Sequence, residues 1–212
     1  MNGLARAVCF GCLIAAQSAV QAAQCVPSGG IVYRGTDEKS LIFFLPRAEH
    51  DLRFELPGHD FANDDGAPPN KMEFFVDGVH YELLGTAVSE FLQPGEQADP
   101  RQILPRHAAS EHGYAVRSGG LLKDLQVLDQ TVRPAFQDTP ALYFLRWKLH
   151  DASARDMPAQ YFLSTVVGDS VVVLSAIVPK PEQEALARTA LDRFSTSFQF
   201  LAEEDCPKPP KP

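Results

Sequence analysis

Residues 160–178 read QYFLSTVVGDSVVVLSAIV. Two runs rich in β-branched residues, Gln160 to Val167 and Ser170 to Val178, flank Gly168-Asp169, a dipeptide suited to a two-residue hairpin turn with glycine first. Neither run alternates cleanly between apolar and polar side chains. Both faces of both strands are largely apolar, so the pair is expected in the middle of a sheet that is covered on both sides.

On the C-terminal side, Pro181 opens a predicted helix in which Glu182 and Glu184 suit the positive N-terminal end. Leu186, Ala190, Leu191 and Phe194 are expected to form its apolar stripe against the sheet. Phe198 to Leu201 adds a last extended segment. The order hairpin, proline, amphipathic helix and Ser195-Thr196-Ser197-Phe198-Gln199-Phe200 resembles the closing segment of PsbP/Mog1-like domains. That resemblance, carried by Tyr161 to Phe200, implies an α+β sandwich of mostly antiparallel sheet flanked by helices. It also implies a family made largely of non-enzymatic binding and assembly proteins, without a general catalytic motif.

Towards the N-terminus, Ala141 to His150 alternates, with Tyr143, Leu145, Trp147 and Leu149 on one face and the basic row Arg146, Lys148 and His150 on the other, read as a solvent face. Leu125 to Val132 is a further strand. Asp99-Pro100 has the form of an N-cap followed by a helix-starting proline; Pro105 is expected to restart or kink that helical region, which ends before Gly119-Gly120. Met72 to Leu84 is a hairpin about Asp77-Gly78, a dipeptide that accepts two positive φ angles. The register that follows sets Val76 opposite Val79, Phe74 opposite Tyr81 and Met72 opposite Leu83 on the core face. Phe75/His80 and Glu73/Glu82 then share the other face. Residues 58–70 read as a long polar surface loop, and Ile31 to Arg34, Ser40 to Leu45 and Leu52 to Leu56 as the first strands.

The ends of the chain speak to compartment. Arg6 precedes an uncharged apolar run, Ala7 to Ala16, and then a small-residue segment, Ser18 to Ala23. This is the pattern of a cleaved secretory signal over residues 1–23, and the run is too short for a membrane span. Cys25 follows Gln24 and Cys12 comes too early, so neither fits a lipid anchor. Loss of residues 1–23 would leave Cys25 and Cys206, expected to pair as a disulfide in an oxidising compartment, worth up to ~5 kcal/mol in the chain-entropy model. Residues 24–206 are expected to be one α+β domain and residues 207–212 a disordered Pro/Lys tail. The formal charge of −8 becomes more negative once Arg6 is lost, which disfavours nucleic acid and anionic membrane surfaces.

No G-x-S-x-G elbow, HExxH motif, phosphate loop or dinucleotide fingerprint occurs. Ser164, Ser170 and Ser175 sit in ordinary strand patterns. His107, Glu111 and His112 fall on the predicted helix, with the two histidines five apart and so on different faces; they read as surface residues. The candidate binding residues are Glu73, Phe75, His80 and Glu82 on the outer hairpin face, together with His59, Asp60, Asp64 and Asp65 in the 58–70 loop. A partner-contact patch is expected on them, with no metal and no cofactor, because the loop lacks calcium-binding spacing and a solvated face also relieves the Glu73/Glu82 repulsion. The function these readings support is that of a periplasmic or secreted, non-enzymatic envelope domain binding a protein partner or small ligand. An envelope hydrolase or metal-dependent enzyme, and an acidic inhibitor or immunity-like protein, are the alternatives.

Overall fold

The computed structural model describes residues 31–35, 39–45, 51–63, 71–153 and 159–201. The expected signal segment, Cys25, Cys206, Asp64, Asp65 and the tail lie outside them. Among the described residues, eleven strands and two α-helices follow one another as β1 (Ile31–Arg34), β2 (Ser40–Leu45), β3 (Leu52–Pro57), β4 (Phe61–Asn63), β5 (Lys71–Val76), β6 (Val79–Ala87), α1 (Pro100–Arg117), β7 (Asp124–Arg133), β8 (Leu142–His150), β9 (Ala159–Val167), β10 (Ser170–Val178), α2 (Glu184–Ser197) and β11 (Gln199–Phe200). They form two sheets, ordered β1-β2-β3-β11 and β4-β5-β6-β10-β9-β8-β7. The fold is the expected α+β sandwich, and each strand pairing among the described residues is antiparallel.

The β9-β10 hairpin is central, as its two apolar faces require, and Gly168 takes a φ of 57° in its turn. Leu163, Val172, Leu174 and Ala176 point to one side, where they meet the four-stranded sheet and α2; Phe162, Val171 and Val173 point to the other, beneath α1. The result is three layers: α1, the seven-stranded sheet, and a layer of the small sheet plus α2. Phe43 and Phe54 stack with centroids 4.9 Å apart, and Phe54 in turn meets Phe194 of α2 at 4.7 Å. The outermost strands of the large sheet are the three-residue β4 and the bulged β7, both poor templates for further pairing.

Helix α1 begins and ends on local signals. The Asp99 side chain accepts a hydrogen bond from the Arg101 N–H at 3.0 Å. At the other end the Gly120 N–H donates to Ala115 O and the Gly119 N–H to Val116 O, with Gly119 at a φ of 74°, a Schellman closure. A Cβ on Gly120 would come within 2.9 Å of the Ala115 carbonyl. Pro105 neither restarts nor divides the helix, which runs through it without a break. Burial of Ile103, Leu104, His107 and Ala108 on one face outweighs the one backbone bond that the proline cannot donate.

Three further expectations are corrected. Leu186 is half-exposed, and the buried stripe of α2 is Ala187, Ala190, Leu191 and Phe194, one residue out of phase at its start. The basic row on β8 is not a solvent face: Arg146 is covered by α2 and bridges Asp192 and Asp129, while the Lys148 ammonium lies 5.6 Å from the Tyr161 ring centroid. Finally, the 58–70 segment is not loop throughout. Phe61 to Asn63 pair with Val76 to Phe74 as strand β4, and Phe61 meets the Phe43 and Phe74 rings.

Candidate functional site

The β5-β6 hairpin positions the first set of candidate residues. Asp77 and Gly78 adopt φ angles of 48° and 77°, and the pairing Phe75↔His80 and Glu73↔Glu82 is the one that turn dictates. Phe74, Val76, Val79, Tyr81 and Leu83 go into the core, so Glu73, Phe75, His80 and Glu82 emerge together on the α1 side of the sheet. The His80 ring stacks on Phe75 with centroids 4.6 Å apart and planes 17° from parallel. Its Nε2 lies 3.2 Å from Glu73 Oε2. Glu82 Oε2 accepts hydrogen bonds from Gln160 Nε2 and Ser175 Oγ, both at 3.1 Å. The strand framework thus brings two carboxylates and an imidazole together, with their ligand-capable atoms all within 4.8 Å of one another.

His59 and Asp60 serve a different purpose. Both are exposed, and their backbone N–H groups donate to Asp77 Oδ1 at 3.0 and 2.9 Å, tying the chain before β4 to the hairpin turn. Gly58 permits this route: at a φ of 148°, a Cβ there would lie 2.1 Å from Val76 Cγ1.

Glu82 is also a wall of a second feature. Between the C-terminal half of α1 and strands β6, β8, β9 and β10 lies a cavity of about 560 Å³. Leu84, Leu149, Phe162, Val173 and Ile177 form its floor; Tyr114, Ala115, Leu121 and Leu122 overhang it. The polar groups facing it include Glu82, Gln160 and Glu111; His107 borders it with its ring sealed from the open space. Its size and its apolar lining with few polar groups are those of a small-molecule pocket.

His107 was expected at the surface and is fully buried. It continues the Ile103, Leu104 and Ala108 face of α1, and its ring lies edge-on to Phe91 and to Trp147. Neither ring nitrogen has a hydrogen-bond partner; Glu111 Oε1 approaches Nε2 only to 3.8 Å. Burial lowers its pKa from 6.5 to about 4, so the imidazole is neutral at physiological pH. The signal for this was in the sequence, in the spacing from His107 to Ile103 and Leu104. His112, on another face of α1, contacts the Lys123 carbonyl with Nε2 at 2.6 Å.

The serines of the central strands lie in β9 and β10, as their pattern suggested. Ser164 Oγ accepts from the Trp147 indole at 3.0 Å, and Ser175 joins Gln160 and Glu82.

No protein-family model matches the chain, and no match was found among curated proteins. Among solved structures, the chain is similar to the solution structure of cyanobacterial PsbP (CyanoP) from Synechocystis sp. PCC 6803, with 9% identity, a TM-score of 0.46 and coverage of 84% of this chain and 96% of that one. It is also similar to a 1.50 Å crystal structure from Bacteroides thetaiotaomicron VPI-5482, with 9% identity, a TM-score of 0.32 and coverage of 72% of this chain and 46% of that one.

Proposed function

We propose that this chain is an exported, non-enzymatic binding domain of the cell envelope, and that its ligand is a small amphiphile seated in the cavity between α1 and the seven-stranded sheet. The observation that carries the reading is the cavity itself, an apolar space of about 560 Å³ with Glu82, Gln160 and Glu111 at its walls. Glu82 and Glu111 face the same space, so a headgroup that donates hydrogen bonds or carries positive charge suits it better than an anion. The apolar floor takes the hydrocarbon part. Export rests on the Arg6, Ala7 to Ala16 and Ser18 to Ala23 pattern.

Trp147 is the single tryptophan and stacks at 3.8 Å on Phe162, a residue of the cavity floor, which makes its fluorescence a direct reporter. Octylamine should change that fluorescence saturably, and octanoate should bind more weakly. Ala115→Phe, which fills the cavity from the α1 side, should weaken octylamine roughly tenfold or more, about 1.4 kcal/mol. A titration without saturation, or one indifferent to Ala115→Phe, would refute the reading.

A further inference from the structure

We propose that Glu73, His80 and Glu82 form a binding site for a first-row divalent transition metal ion, with Zn2+ as the reference member, on the open face of the β5-β6 hairpin. This goes beyond the amphiphile reading and departs from the sequence-based expectation of no metal.

The donor set is one imidazole nitrogen and two carboxylates. That mixture suits zinc and its neighbours rather than calcium or magnesium, which favour all-oxygen shells. Bonds of about 2.0–2.2 Å to a common ion would bring such ligand atoms to within roughly 3–4 Å of one another. The three groups already lie within 4.8 Å, held by two paired strands rather than by a loop, so small side-chain adjustments suffice.

The geometry of His80 adds to this. Its Nε2 is buried and lacks a hydrogen-bond partner, although Glu73 Oε2 is only 3.2 Å away. A ring nitrogen beside a carboxylate oxygen without hydrogen-bond alignment suits two ligands flanking a shared centre.

The surroundings supply what a metal site needs around its ligands. Phe75 holds the His80 ring plane by stacking, and Gln160 and Ser175 orient the Glu82 carboxylate through Oε2. Three protein ligands would leave coordination positions for water or a ligand atom. Because Glu82 also lines the cavity, those positions would lie beside its mouth, so metal and amphiphile occupancy should influence one another.

The test is calorimetric titration of the metal-stripped chain with Zn2+, without amphiphile present, so that failure here leaves the octylamine experiment standing. The expected result is one bound equivalent, weakened roughly tenfold or more in each of Glu73→Gln and His80→Gln, because even the loss of an outer-shell partner typically costs that much. The 15N resonance of His80 Nε2 in the unsubstituted chain should shift on addition of Zn2+. No bound equivalent, an affinity unchanged from the unsubstituted chain in both variants, or an unmoved His80 resonance would overturn the proposal. Should either variant melt early, the His80 resonance decides between the two outcomes.

Discussion

The two faces of the seven-stranded sheet are built from the same strands and have opposite characters. Val172, Leu174, Leu163 and Phe144 look towards α2 and the small sheet, where stacked and tilted phenylalanines close the space. Val173, Phe162 and Leu149 look towards α1, where a cavity remains and the walls carry histidine, glutamate and glutamine. The first face spends its chemistry on packing, and the second holds groups that packing alone would not select. A cavity and a buried imidazole without a partner both cost stability, so function is expected on the α1 side.

The contrast can be broken by substitution. Leu174→Ala on the closed face removes a fully buried side chain whose neighbours belong to two sheets, and should destabilise by about 4 kcal/mol in denaturant unfolding. Acid should act on the open face. The His107 pKa in the folded chain is lowered to about 4 from 6.5, so below about pH 6.5 the unfolded state takes up a proton that the folded state refuses. Stability supplied by this residue is complete above pH 6.5 and falls as the pH drops towards 4, by up to about 3 kcal/mol. Glu111 is the ionisable group that faces it, and its negative charge would moderate the loss. Denaturant midpoints measured across that range should lose most of this slope in His107→Leu.

Leu149→Ala, the counterpart of Leu174→Ala on the cavity side, should cost only about 2–3 kcal/mol, because a void is already present beside it. Equal costs for the two leucines would remove the distinction between the faces. Leu186→Gln should change stability by no more than about 0.5 kcal/mol, since that side chain is 51% exposed. A large loss there would restore Leu186 to the core stripe that the spacing first suggested.

What the sequence revealed was local. The Asp77-Gly78 turn dictated a register that holds residue by residue, and with it the convergence of Glu73, His80 and Glu82. Asp99, Gly119 and the apolar runs of β9 and β10 likewise carried their own instructions. The cavity depends instead on where α1 docks, a tertiary event written in no single segment. Arg146 illustrates the same limit, since an alternating strand looks half-solvated until α2 arrives to pair with it through Asp192. His107 was legible in principle: its spacing to Ile103, Leu104 and Ala108 marks the buried face, whereas comparison with His112 pointed to the surface. Strand β4 was hidden because Phe61, Ala62 and Asn63 sit among turn formers, and their pairing is supplied by β5.

Val172 and Val173 are consecutive residues of β10 with side chains on opposite faces, both exposed by 1% or less. Their methyl resonances, followed by NMR while octylamine is added, test the central claim most directly. The account predicts that the Val173 methyls, which line the cavity, shift saturably while those of Val172 stay in place. Equal movement of both, or movement of neither at saturating octylamine, would contradict it.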